Sequence, residues 1–173
     1  MVKIFIDENF DAVDLLQSGL DHIASAEYLL SSKYTRTFDS AGYLAHIGIE
    51  LMIKSWLLHE NKKFEGIHHL KDLLNQLKAS VPSLSFTRAE EQTIDYLSNF
   101  VELRYPDKNS PVEIGEEDIE QIYDLANSLW QQMPGDLIKS FESLPSNKKD
   151  GRVLMRRPIK IPRDLELETG IKE

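Results

Sequence analysis

Apolar side chains recur at helical spacing through most of the first 144 residues, and the pattern breaks into separate segments. In "DENFDAVDLLQSGLDHIASAEYLLSS", Val13, Leu16, Leu20, Ile23, Ala24 and Leu30 predict a first helix. Acids gather in its opening turn, where the positive end of the helix dipole favours them. "TFDSAGYLAHIGIELMIKSWLLHEN" is apolar on more than one face, with Leu44, Ile47, Leu51 and Leu58 joined by Ile49, Met52, Ile53 and Trp56. A helix apolar most of the way round is buried by several neighbours, so this segment is expected at the centre. "KKFEGI" is expected as a turn and "HHLKDLLNQLKAS" as a short third helix.

A fourth helix is announced by Thr87 with Glu90 three residues on, the pattern of a capping box. Ile94, Tyr96, Leu97, Phe100 and Val101 supply its apolar face, and Pro106 is expected to stop it. The fifth, "GEEDIEQIYDLANSLWQQMPGDLIKSFESL", contains Pro134, which is expected to kink or divide it. The opening "MVKIFID" alternates enough for a short strand or an extended lead-in over residues 1–7. Long helical patterns with short connections predict an all-α protein, an antiparallel up-and-down bundle of four to five helices over residues 1–144.

Beyond that, residues 145–173 carry Pro145, Pro158 and Pro162 without helical period and are expected as an extended C-terminal arm. Charge singles the arm out. From Lys148 to Arg163 seven basic residues (Lys148, Lys149, Arg152, Arg156, Arg157, Lys160 and Arg163) meet one acid, a net of +6. The whole chain carries −9, so the remainder carries −15. An acidic body disfavours whole-surface binding to nucleic acid, whose phosphates need Lys and Arg. The arm either grips RNA or docks on the acidic body of its own or a partner subunit, with Ile159 and Ile161 as anchors. Docking is the expected alternative, and "PIKIP" pairing with "VKIFI" at a sheet edge is one form of it.

The 41% hydrophobic and 28% charged residues fit a folded globular chain, and no apolar run reaches the ~20 residues of a membrane span. There is no cysteine, hence no disulfide or thiolate metal site. The first residues lack the apolar stretch of a signal peptide, so the cytoplasm is the expected location.

Several chemistries lack their residues. Carboxylate-bridged metal sites in bundles need two Glu-x-x-His pairs and two further glutamates. The chain has "EGIH" in a turn, and His46 with Glu50 would make only half a site, so no metal is expected. Phosphate-loop, dinucleotide-binding and serine-elbow motifs are absent too, and no cofactor is expected. His68 and His69 fit a helix start better than a catalytic pair. Glu50 and Lys54 form either an exposed i,i+4 pair or, if buried, a pair that needs partners from other helices.

"LAHIGIELMIKSWLLHENKKFEGIHHLKDLLNQLKA" followed by "LSNFVELRYPD" resembles the HEPN (higher eukaryotes and prokaryotes nucleotide-binding) superfamily over roughly residues 10–130. The resemblance lies in the Glu-x-x-x-Lys of Glu50 and Lys54, the Gly66–Leu70 turn with His69 matching the family histidine, and Arg104-Tyr105-Pro106 closing a later helix. It implies a helical bundle, usually dimeric. Many members are metal-independent ribonucleases of toxin–antitoxin and anti-phage systems, with an Arg-x(4–6)-His motif facing its copy across the dimer cleft. In that chemistry histidine transfers protons and arginine stabilises charge at phosphorus.

The chain departs from that motif. Asn109 stands where an x(4) spacing would put histidine, and no histidine follows His69. An amide takes up no proton at neutral pH. The expected protein is therefore a non-catalytic, dimeric interaction module, or one that binds a nucleotide or RNA phosphate through Arg104, Tyr105, Asp107, Lys108, Glu50, Lys54 and His69. A partner protein encoded nearby fits the same class. The alternative is a metal-independent endoribonuclease using Arg104 with a displaced histidine, His69 or His46. Arg104 itself has a plainer role open to it, as a cation complementing the end of a helix and pairing with a carboxylate such as Glu50.

Overall fold

The helix predicted at the centre organises the molecule. In a computed structural model that describes residues 3–32, 37–104, 114–115 and 118–144, Phe38–Asn61 forms α2. It packs against α1 (Ala12–Ser31), α3 (Leu70–Ser80), α4 (Arg88–Ser98) and α5 (Asp118–Gln132). A shorter α6 (Gly135–Glu142) lies against α1. Successive helices from α1 to α5 are packed neighbours, the relation an up-and-down bundle requires. Of the apolar residues expected to face inward, Leu16, Leu20, Ile23, Leu30, Ile49, Met52, Ile53, Trp56, Leu58, Ile94, Leu97 and Phe100 join one core, whereas Ala24 on α1 and Ile47 and Leu51 on α2 are only half-buried and stay outside it.

The longest helix contact, α1 on α2, depends on two glycines. A Cβ at Gly48 would lie 2.5 Å from Ile23 Cγ1 and 2.9 Å from the Gly19 carbonyl oxygen, and one at Gly19 would lie 2.9 Å from the Gly48 carbonyl oxygen. No side chain fits between the two backbones there. Ser55 adds a polar link by donating to the Ala12 carbonyl at 2.6 Å.

The turn expected at "KKFEGI" is instead partly strand. Lys62 takes a left-handed conformation (φ 59°) and its N–H caps α2 through the Leu58 carbonyl. Lys63–Glu65 then forms β2, antiparallel to β1 (Ile4–Ile6), with Phe5 opposite Phe64. Those rings stack at 5.2 Å, and Phe10 meets both edge-on. The expected strand at "VKIFI" is present, but its partner is β2, and "PIKIP" lies outside the described residues. The pairing links residues about sixty apart in sequence, which a local period cannot reveal.

The fourth helix also ends differently from expectation. Its capping box is complete, with Thr87 accepting from the Glu90 N–H and Glu90 accepting from the Thr87 N–H. After Ser98 the α-helix gives way to a 3-10 helix, Asn99–Arg104. Ser98 Oγ donates to the Ile94 carbonyl at 2.8 Å, competing with the regular ladder, and Phe100 is drawn fully into the core. Pro134 does divide the last segment, and Trp130 meets Phe141 edge-on across the break at 5.4 Å.

Candidate functional site

Three polar residues interrupt the apolar surface of α2 at successive turns: His46, Glu50 and Lys54. All three are buried, with 1%, 6% and 4% of their surface accessible. Buried ionic groups are costly unless they find partners, and here they find one another. Lys54 Nζ donates to Glu50 Oε1 at 2.6 Å. From outside the helix, His68 brings Nδ1 to 3.0 Å from Oε1 and 3.2 Å from Oε2 of the same carboxylate. His46 Nε2 lies 3.4 Å from Oε2. That approach is electrostatic rather than a formed hydrogen bond, and Nε2 has no other polar partner among the described residues.

The far side of the His46 ring is fixed. Nδ1 lies 2.8 Å from the Leu97 carbonyl oxygen, which can only accept, so Nδ1 carries a proton. His46 therefore ties α2 to the last turn of α4, just before the 3-10 helix that ends in Arg104. Lys54 Nζ also stands 5.5 Å from the centre of the Phe64 ring on β2.

Burial by itself raises the pKa of Glu50. The contacts with His46, Lys54 and His68 overcome that effect and hold its carboxyl well down, at about 2. Glu50 is thus a permanent anion at the centre of the cluster. Of its three partners among the described residues, His68 is the one at the surface, its side chain 60% accessible. Its position comes from the chain entering α3: the Gly66 N–H donates to the Lys3 carbonyl at 2.7 Å, which anchors the turn on β1. A Cβ on Gly66 would lie 2.8 Å from Phe5 Cε2, so the turn sits close against that ring.

The structure therefore brings together Glu50, Lys54, His46 and His68. His69, matched to the family histidine in the sequence, turns the other way, with Nδ1 3.5 Å from Asp72 Oδ2 on the exposed start of α3. Of the adjacent pair, His68 is the ring on Glu50. Sequence spacing carried no signal for that contact, since His68 and His69 both follow the same Gly66 turn. Arg104 closes the 3-10 helix, which packs on α2. Its side chain, and Tyr105, Asp107 and Lys108 entirely, lie outside the described residues. The same holds for Lys148, Lys149, Arg152, Arg156, Arg157, Lys160 and Arg163. None of the helices among the described residues is long and apolar enough to cross a membrane.

A carboxylate holding one nitrogen of an exposed imidazole can orient that ring, leaving the other nitrogen to meet a ligand. In this arrangement Nδ1 of His68 is the nitrogen on Glu50, in a side chain that is largely exposed. A HEPN domain model matches residues 12–134, well over half of the chain, and the chain belongs to that family. No curated protein and no solved structure matches it.

Proposed function

We propose that this HEPN domain is a non-catalytic recognition module that binds the phosphate of a nucleotide or RNA. The observation that carries the proposal is the Glu50–His68 contact at 3.0 Å. It fixes an exposed imidazole at the rim of a buried charge cluster while Lys54 neutralises the carboxylate from within. His68 Nε2 and Arg104 are the ligand-binding groups in this proposal, and Lys108 is a further cation close by in sequence. Catalysis by the family's arrangement lacks its histidine, since Asn109 follows Arg104 at that spacing. The module works as a homodimer and pairs with a partner protein, as in toxin–antitoxin and defence systems.

A metal-independent endoribonuclease is the alternative, and one observation favours it. A carboxylate-oriented, exposed imidazole is also the geometry of a general base, and His68 on Glu50 has it. Labelled RNA separates the two. Binding without cleavage, weakened at least ~10-fold by either Arg104→Ala or His68→Ala, supports the recognition module. Cleavage that survives EDTA and disappears in both variants would establish the ribonuclease instead.

A further inference from the structure

We infer that the basic segment, residues 145–163, docks in cis on the face formed by the β1–α1 turn and α6. A cleft of about 600 Å³ opens there, away from the Glu50 cluster. Its rim carries Asp7, Glu8 and Asp11, and Phe10, Leu58 and Leu137 line its apolar part. Lys62 also borders it, as does His59, whose Nε2 faces Asp136 Oδ1 at 3.3 Å. Phe10 is itself 38% accessible, and the neighbouring strand β1 adds two further exposed apolar side chains, Ile4 and Ile6, at 58% and 37%. The face is thus both acidic and apolar.

The segment has the complementary composition. It holds seven basic residues against one acid, interleaved with "VLM" and with Ile159 and Ile161. The segment also starts at the right place. Leu137 and Ser140 of α6 border the cleft, and the described chain ends at Leu144, about 6 Å of helical rise beyond Ser140. Lys148 follows four residues later, within at most ~14 Å of extended chain. The basic residues therefore reach the acidic rim without crossing the molecule. Pro158 and Pro162 lack backbone donors, so the docking runs through side chains rather than through a continuous ladder on β1.

A second cleft, between α4 and α5, is a poorer fit. Its acids, Glu90 and Asp124, sit among amides and hydroxyls such as Gln92, Gln121, Asn127 and Ser128, and no large apolar side chain among the described residues lines it. Docked at the first cleft, the segment's charge is neutralised by the body. RNA phosphates then compete with Asp7 and Glu8 for the same cations.

Limited trypsin digestion of the full chain tests this, because the segment is rich in Lys and Arg. A free peptide of residues 145–163 in the same tube reports the protease's own activity. In low salt the segment should be cut about tenfold more slowly than the peptide, and 0.5 M NaCl should remove most of the difference. Asp7→Lys with Glu8→Lys should remove it as well, with the circular-dichroism spectrum unchanged, whereas Asp124→Lys should not. Equal cutting of segment and peptide in low salt would overturn the inference, as would protection retained in the double variant or lost equally in Asp124→Lys. Protection that falls on dilution would assign the docked segment to a second copy and overturn docking in cis.

Discussion

The His68 ring reaches back across the turn from α3 to place Nδ1 3.0 Å from Glu50 Oε1, on the carboxylate that Lys54 also holds at 2.6 Å. One buried anion thus joins the middle of α2 to the surface. Both the stability and the chemistry of that region depend on its charge.

Acidification should expose this dependence. The folded-state pKa of Glu50, about 2, lies below its ordinary 4.5, so the unfolded chain binds the proton first. The stabilisation is complete above pH 4.5, falls as pH drops toward 2, and amounts to about 3 kcal/mol. Urea unfolding of wild type and Glu50→Gln at several pH values measures it. The stability gap between them should shrink between pH 4.5 and 2, and a constant gap would refute the assignment.

Removing one partner should cost more than removing both. Lys54→Met leaves Glu50 buried without its closest cation and should destabilise the fold by about 3–5 kcal/mol. Glu50→Leu combined with Lys54→Met removes both charges and should recover part of that loss. Chemical denaturation of the two variants checks the order, and a double variant less stable than Lys54→Met would contradict it.

The α1–α2 crossing makes a contrasting pair of predictions. Gly48→Ala forces a methyl against Ile23 and the Gly19 backbone and should cost about 1–3 kcal/mol. A Cβ on Gly135 meets nothing within 4 Å, so Gly135→Ala should be neutral or stabilise by up to ~1 kcal/mol. Thermal midpoints of the two variants provide the comparison.

Lys62 ends α2 in the left-handed region at φ 59°, where a Cβ is unfavourable. Lys62→Gly should therefore stabilise the fold by up to about 1 kcal/mol. A melting temperature below that of wild type would show that the lysine side chain makes up for its strained backbone.

By itself the sequence determined the helices and the core. Their periods are local properties, and α2 was legible as the central helix because Leu44, Ile49, Met52, Ile53 and Trp56 span several of its faces. The capping box at Thr87 and the division at Pro134 were legible for the same reason, since each acts within a few residues. The family, too, was readable from the order of Glu50, Lys54, the Gly66 turn and Arg104. Tertiary structure decided the rest. Only packing could pair Phe5 with Phe64, or show that Gly19 and Gly48 let two helices touch backbone to backbone. Glu50 and Lys54 have the same spacing whether exposed or buried, and burial is what makes their pair a strong one. Of two adjacent histidines, the path of the turn off β1 chose His68 for Glu50 and left His69 facing Asp72, a choice of direction that residue identity does not encode.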